Sequence, residues 1–237
     1  PFTFAARKGN SRKLLVDFIG GGACWNEFTC GFADAIFSDN ADWVKDFEGK
    51  TGVQGGIYDE TNPDNPFADY HHIVIPYCTG DIHWGNSSMV YGEGTDKEVA
   101  IEHKGAVNTQ AVLDWIEANY HDPEQVFVTG CSAGSYGSIM WAAHLGQIFP
   151  NADLVQLGDS GLGVITESWF NDSFPQWNAE PAFPGFISSM NPDEINLLDV
   201  DAGYLYEEVG KYYPNSRFAQ FTAHADNNQV FYYQAMG

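Results

Sequence analysis

Segment 126–134 constrains the fold of this chain more than any other. Its sequence, VFVTGCSAG, begins with β-branched and apolar residues and ends in the pattern Gly-x-Ser-x-Gly. The residues around the pattern predict a strand over 125–129 and a helix over 134–148. A serine on a sharp turn between a strand and a helix is typical of a nucleophile elbow. The segment therefore predicts that Ser132 is a nucleophile, and an ordinary glycine turn is the alternative.

The rest of the chain also alternates strands with helices. Apolar runs predict strands at 13–19, 72–77, 153–157 and 218–222, and an amphipathic stretch predicts a helix at 106–119. Polar or glycine-rich corners follow the strands. This alternation predicts an α/β fold, in which a mostly parallel central sheet is flanked by helices. At 237 residues the chain is expected to form a single domain, 1–237.

Residues 162–216 break the alternation. They hold several prolines and an unusual number of aromatic side chains, namely Trp169, Phe170, Phe174, Trp177, Phe183 and Phe186. We expect this segment to be a cap insertion over the carboxyl edge of the sheet, which is the edge where ligands bind in such folds.

The charge balance excludes several classes of partner. With 10 Lys+Arg and 32 Asp+Glu, the net charge is −22, which would repel nucleic acids and anionic membranes. No apolar run approaches the roughly 20 residues of a membrane span. No EF-hand loop or tight His/Cys/Asp cluster is present, so we expect neither a metal nor a cofactor.

The even number of cysteines suggests two disulfides. The four are Cys24, Cys30, Cys78 and Cys131, and the sequence does not give their connectivity. Disulfides and two Asn-x-Ser triplets, at Asn86 and Asn171, favour a secreted or extracytoplasmic protein.

An oxyanion hole needs backbone N–H groups near the nucleophile. The N–H of Ala133 stands at the start of the predicted helix, directly after the serine. The turn at 20–23, Gly-Gly-Gly-Ala, follows the strand at 13–19 and suits the second half of the hole. An ordinary glycine turn is again the alternative.

Five motifs in order suggest a family. They are GGGACW at 20–25 with a cysteine at 30, IPYCTGDIHWGN at 75–86, GCSAG at 130–134, DSG at 159–161 and HADNNQ at 224–229. Together they resemble the pectin acetylesterase/Notum family of α/β-hydrolases, in particular bacterial-type or algal-type members. The resemblance extends over nearly the whole chain.

This resemblance implies a serine carboxylesterase that removes an acyl group from a carbohydrate or a protein. It implies that the oxyanion is held by N–H groups at Gly22, Ala23 and Ala133, and that Asp226, in an Asp-x-x-Gln motif, is the catalytic acid. Plant and animal members carry a tryptophan where Ala23 stands, so we expect a different substrate pocket.

Three aromatic or imidazole side chains are candidates for lining that pocket: Trp25, His83 and Trp84. The cysteines have structural interpretations beside the site. A Cys24–Cys30 bridge would fix the oxyanion loop, and a Cys78–Cys131 bridge would tie two neighbouring strand ends. Cys131 is an improbable alternative nucleophile, because we expect its side chain to turn away from the substrate.

The general base is missing from this pattern. In α/β-hydrolases the histidine follows the acid in sequence, but no histidine follows Asp226. His224 and His83 are weak alternatives for the base, and Asp159 is an alternative acid. We expect that this sequence lacks residues of the natural chain at both ends, and that the histidine lies beyond residue 237.

The sequence therefore predicts a serine carboxylesterase that hydrolyses O-acetyl or short acyl esters, on a glycan or another small ester substrate. The acidic surface favours a neutral or acetylated polymer over a naked polyuronate. One alternative is a catalytically inactive hydrolase-fold protein that binds protein partners or serves in structural assembly. Another is a lipid or polyester hydrolase, which the aromatic cap would suit.

Overall fold

The computed structural model describes residues 2–32, 36–42, 44, 55–161, 165–166 and 175–236. The strands in these residues are β1 (Ala5–Arg7), β2 (Lys13–Phe18), β3 (His71–Ile75), β4 (Ser87–Tyr91), β5 (Val99–His103), β6 (Gln125–Cys131), β7 (Asp153–Asp159) and β8 (Arg217–Phe221). The α-helices whose two ends both lie in these residues are α1 (Glu27–Cys30), α2 (Gly105–Asn119), α3 (Ala133–Ile148), α4 (Ala202–Tyr212) and α5 (Asn227–Ala235).

The main sheet has the strand order β1-β3-β2-β6-β7-β8 in the described part of the chain. Strand β1 runs antiparallel to β3, and the other neighbours pair in parallel. Strands β4 and β5 form a separate antiparallel pair. The mostly parallel sheet confirms the predicted α/β architecture and aligns the carboxyl ends of β2, β6, β7 and β8 along one edge.

Strand β2 lies near the centre of this sheet, and this position explains why its sequence is almost continuously apolar. Every residue after Lys13 in the strand is buried, because sheet neighbours flank it on two sides and packed layers cover its faces. Phe18, at its carboxyl end, is completely buried, and burial of such a side chain contributes roughly 1.5–3 kcal/mol.

The two glycines of Gly-x-Ser-x-Gly allow β6, β2 and α3 to meet backbone to backbone. A Cβ added at Gly130 would lie 2.2 Å from the carbonyl oxygen of Gly134, and one added at Gly134 would lie 1.9 Å from that of Phe18. No larger residue fits at either position without moving the main chain. These contacts seat the first turn of α3 over the end of β2.

The segment expected to be a cap divides into parts with different surroundings. Trp177 and Phe183 are buried in the main core. Helix α4 belongs to the layer that flanks the sheet. The Tyr206 hydroxyl accepts a hydrogen bond from Gln156 of β7, and the hydroxyl of Tyr213, the residue that caps the helix, donates one to the carbonyl of Ala143 in α3. Trp169, Phe170 and Phe174 lie outside the described residues, and whether 162–216 covers the site stays a prediction.

Among the described residues, no helix combines the length and the apolar character needed to cross a bilayer.

Candidate active site

Ser132 occupies a strained turn between β6 and α3. Its backbone angles are φ 56° and ψ −121°, in a left-handed region that a non-glycine residue occupies only at a cost, often at a functional site. The N–H of Ser132 donates to the carbonyl of Asp159 at 2.7 Å, and its own carbonyl accepts from Ser135 at 2.9 Å. The turn is therefore fixed from both sides and has the geometry of a nucleophile elbow.

A pocket opens over this serine at the carboxyl edge of the sheet. Its walls come from the glycine turn, the first turn of α3 and helix α5. The lining residues are Gly22, Ala23, Ile82, Ser132, Ala133, Tyr136, Ser160, Ile165, Gln229, Tyr232 and Met236. The structure thus brings the residues expected for the oxyanion hole, Gly22, Ala23 and Ala133, together with Ser132 around one space.

The glycine turn lies directly against the elbow. A Cβ added at Gly20 would be 2.3 Å from the carbonyl oxygen of Cys131 and 3.0 Å from Cβ of Ser132. Gly22 has φ +78°, and a Cβ there would meet the carbonyl oxygen of Ile36 at 2.0 Å. At Gly20, glycine is required for the close approach. At Gly22, it is required both for the close approach and for the left-handed backbone.

Tyr232 of α5 reaches into the pocket. Its hydroxyl donates a hydrogen bond to the carbonyl of Ile36. Burial raises the pKa of Tyr232, and the backbone of Ala23 opposes that rise. A Cβ added at Gly22 would lie 2.3 Å from the Tyr232 hydroxyl, so this hydroxyl lies beside the glycine turn. The sequence motifs gave no sign of Tyr232, although Gln229 and Tyr232 are three residues apart and so share a helix face.

Asp226 is the N-cap of helix α5. Its Oδ1 accepts hydrogen bonds from the backbone N–H groups of Asn228 (2.9 Å) and Gln229 (3.0 Å), and its Oδ2 accepts from Nε2 of Gln229 at 3.0 Å. The backbone hydrogen bond from Gln229, followed by the side-chain bond, lowers the pKa of Asp226. The carboxylate is thus ionised and oriented at neutral pH, and its role as catalytic acid stays a prediction.

Asp159, the alternative acid, ends β7. Its Oδ1 accepts a hydrogen bond from the Ser160 hydroxyl at 2.7 Å, while its backbone carbonyl holds the elbow. These contacts give Asp159 a local structural role.

All seven histidines belong to the described residues, and none of them is hydrogen-bonded to Ser132 or Asp226. His83 is turned toward the carbonyl of Ile19, and His144 toward that of Ala182. His224 is exposed. These seven side chains therefore supply no imidazole in a base position.

The three side chains expected to line the pocket are buried instead. Trp25, His83 and Trp84 are 4%, 2% and 1% exposed, and none of them lies in the pocket wall. Trp84 donates its indole N–H to the carbonyl of Tyr136, so it supports a wall residue from behind. The burial gives no support to the expectation that these side chains touch substrate.

One of the two expected disulfides is formed. Cys24 and Cys30 are bonded next to the glycine turn, whereas Cys78 and Cys131 are free thiols. The Cys78–Cys131 pairing was wrong, because β2 lies between β3 and β6. Two strand spacings are about 10 Å, which exceeds the roughly 7 Å that a disulfide bridges.

Cys131 is also a poor nucleophile. Desolvation, with the carboxylates of Asp159, Asp17 and Asp226, raises the pKa of its thiol. The thiolate that would attack an ester is therefore scarce at neutral pH.

One cluster in the described part of the chain has the residue types of a metal site. Potential ligand atoms of Cys24, Cys30 and His103 lie within 4.8 Å of one another. The two sulfurs are joined in the disulfide, and His103 makes hydrogen-bond contacts with the Thr79 carbonyl and the Tyr91 hydroxyl. In this state the cluster offers no thiolate ligand.

Comparison with known proteins identifies the family of this chain. A family model described as pectinacetylesterase matches residues 3–178. The chain belongs to the pectinacetylesterase family. The match covers the glycine turn, the elbow and the buried loop between them, and it confirms the resemblance seen in the motifs.

Two curated relatives agree with this membership. Pectin acetylesterase 5 of Arabidopsis thaliana is 21% identical over 206 residues, which are 86% of this chain and 44% of that protein. Palmitoleoyl-protein carboxylesterase NOTUM of Schmidtea mediterranea is 29% identical over 133 residues, 55% of this chain and 24% of that protein. The chain thus spans less than half the length of these relatives.

A solved structure of the Wnt deacylase Notum from Drosophila has a similar fold. The TM-score is 0.56 at 18% sequence identity, covering 99% of this chain and 73% of that one. This likeness, with the strand order above, confirms an α/β-hydrolase-like fold.

Proposed function

We propose that this member of the pectinacetylesterase family is a serine carboxylesterase that removes O-acetyl or other short acyl groups from a glycan. The observation that carries the proposal is the strained backbone of Ser132, facing a pocket that Gly22, Ala23 and Ala133 also line. Two relatives support the reaction class, since one is named a pectin acetylesterase and the other a palmitoleoyl-protein carboxylesterase.

In the proposed mechanism, Oγ of Ser132 attacks the ester carbonyl and its proton passes to a histidine. The backbone N–H groups of Gly22, Ala23 and Ala133 stabilise the tetrahedral oxyanion. The alkoxide leaves as an alcohol with the proton from the histidine, and water then hydrolyses the acyl-enzyme. Asp226 orients that histidine.

The chemistry of the pocket supports a short acyl group on an uncharged sugar. Ile82, Tyr136, Ile165 and Met236 make part of its wall apolar. The net charge of −22 disfavours a polyanionic chain. The Cys24–Cys30 disulfide supports a location outside the reducing cytoplasm.

A fluorophosphonate probe tests the nucleophile in the protein at its natural length. We expect the probe to label Ser132, to lose its target in Ser132→Ala and to keep it in Cys131→Ser. Rates on p-nitrophenyl acetate, butyrate and palmitate, with acetyl release from acetylated xylan and pectin, then assign the substrate class.

One other function is an inactive hydrolase scaffold that binds rather than cleaves. The observation that favours it is that none of the seven described histidines is hydrogen-bonded to Ser132 or Asp226. A natural-length protein that neither reacts with the probe nor hydrolyses any of these esters would establish that alternative. Preference for the palmitate ester would instead indicate a lipid or polyester hydrolase.

A further inference from the structure

Residues 77–86, in the loop between β3 and β4, are arranged around a buried carboxylate. Asp81 is completely buried. Its Oδ1 accepts from the Thr79 hydroxyl (2.5 Å) and the backbone N–H of His83 (3.2 Å), and its Oδ2 accepts from the N–H groups of Gly85 (3.1 Å) and Gly105 (2.7 Å). Four donors fix this loop, which we call the Asp81 loop.

The Asp81 loop carries two successive left-handed residues. Ile82 has φ 49° and His83 has φ 68°, and a β-branched residue such as isoleucine strongly disfavours this region. Backbone strain of this kind persists only where the surroundings hold it and tends to occur at functional sites. Here it sets the direction of the His83 side chain, while Ile82 forms part of the pocket wall.

The imidazole of His83 points at the strand end that precedes the glycine turn. Its Nε2 lies 2.9 Å from the carbonyl oxygen of Ile19. A carbonyl only accepts, so Nε2 carries the proton. The ring packs edge-on against Phe18, with centroids 5.2 Å apart, and is tilted against Tyr77 at 4.8 Å.

The same loop also holds the far end of the turn. The backbone N–H of Cys24 donates to the carbonyl of Gly80 at 2.8 Å, and the Trp177 indole donates to the carbonyl of Cys24 at 3.0 Å. The glycine turn is therefore held at both ends, because the residues that flank it, Ile19 and Cys24, both hydrogen-bond to the Asp81 loop.

His83 also contacts the helix that follows the nucleophile. The Trp141 indole of α3 donates to the carbonyl of His83 at 3.0 Å. A Cβ added at Gly137 of α3 would lie 2.9 Å from the His83 ring. One residue thus touches the strand end that leads into the glycine turn and the helix that begins at Ala133.

We propose that His83 is a positioning residue that sets the distance between the two halves of the oxyanion hole, the glycine turn and the N-terminus of α3. This role rests on the proposed esterase function. It differs from the roles that the sequence suggested for His83, since the side chain touches neither substrate nor Ser132.

Paired substitutions separate positioning from simple packing. Leucine at position 83 fills space without a donor, whereas glutamine places an amide N–H near the position of Nε2. His144 is a matched control, because its Nε2 also lies 2.9 Å from a backbone carbonyl, that of Ala182, away from the turn. The set is therefore His83→Leu, His83→Gln, His144→Leu and His144→Gln, each in the natural-length protein.

We expect His83→Leu to lower kcat on p-nitrophenyl acetate by about 10- to 100-fold with KM nearly unchanged, because misplaced oxyanion donors weaken transition-state binding rather than substrate binding. His83→Gln should recover most of the loss. His144→Leu should lower the melting temperature comparably while kcat changes by less than about 2-fold. Equal kcat in the two leucine variants would overturn the proposal.

A second measurement does not depend on turnover. Amide hydrogen exchange at residues 20–23 should accelerate at least about 10-fold in His83→Leu, and not in His144→Leu, because only the first releases the turn. Unchanged exchange in His83→Leu would overturn the proposal. If the wild-type protein hydrolyses no ester while this exchange pattern holds, the esterase function fails and the His83 anchor of the turn stands as structure alone.

Discussion

The region around the elbow and the region formed by β8 and α5 are built in opposite ways. At the elbow, glycine backbones of β6 and α3 touch, and Phe18 beneath them is completely buried. In the second region, Phe221 and Tyr233 are 63% and 53% exposed, and α5 contributes no fully buried residue. The expected nucleophile thus stands on the rigid core, whereas the expected acid stands on a surface helix.

Different forces therefore hold the two parts of the proposed catalytic site. Close packing fixes Ser132 and the glycine turn, so changes there act through the fold. Hydrogen bonds at a helix N-cap fix Asp226, so changes there can alter the chemistry while the fold remains.

The largest effect is expected from Gly134→Ala. The added Cβ would meet the carbonyl oxygen of Phe18, and overpacking against main chain that cannot move should cost about 3 kcal/mol or more. The control is Gly210→Ala in α4, where the Cβ would meet nothing within 4 Å. It should raise stability by about 0.5–1 kcal/mol. Urea unfolding measures both, and equal stabilities of the two variants would contradict the close backbone packing at the elbow.

Substitution of Asp226 should instead lower the activity strongly and the stability little. Asn keeps the capping oxygen but removes the charge, so Asp226→Asn should lower kcat/KM by about 10²- to 10⁴-fold with little loss of stability. Asp226→Ala should add a loss of about 1 kcal/mol from the missing cap. Ester kinetics and thermal unfolding test the pair. Full activity of the Asn variant would exclude Asp226 as the catalytic acid.

The pH dependence of stability should also originate in the core. Burial lowers the pKa of His83, His103 and His144, so the unfolded chain binds their protons more readily. The free energy of unfolding should have its full value above pH ~6.5, and it should fall as the pH drops below that value. Each histidine contributes at most about 1.4 kcal/mol per pH unit. Unfolding curves between pH 7.5 and 5 that coincide would refute this origin.

The smallest effect is expected at the exposed edge. Phe221→Thr removes an apolar side chain that is mostly in water, so stability should change by less than about 0.5 kcal/mol. Phe18→Leu, a comparison in the core, should cost clearly more. Similar losses for the two would show that β8 is packed more tightly than its exposure indicates.

Much of the fold follows from the sequence because the central elements carry strong local signals. The runs at 13–19 and 125–129 became β2 and β6, and the helices predicted at 106–119 and 134–148 became α2 and α3 within a residue at each bound. Strand β1 and the β4–β5 pair were missed. They are short, and their half-exposed residues lack a continuous apolar run.

The order of strands in space was not available from the chain. The Cys78–Cys131 pairing failed for that reason. Strands β3 and β6 follow one another along the chain within the main sheet, but β2 lies between them in space. The site shows the same limit. Motifs placed the glycine turn beside Ser132, but only the three-dimensional contacts show that His83 is buried and that Tyr232 enters the pocket.

The position of Tyr232 couples two equilibria. Its hydroxyl lies against Gly22, in the pocket that Ala23 and Ser132 also line, so occupation of this space by a ligand and the seating of α5 are thermodynamically linked. A ligand that needs the space of the Tyr232 hydroxyl binds with its intrinsic affinity multiplied by the fraction of molecules in which Tyr232 has moved aside. By reciprocity, an agent that detaches α5 would act as an activator from a distance.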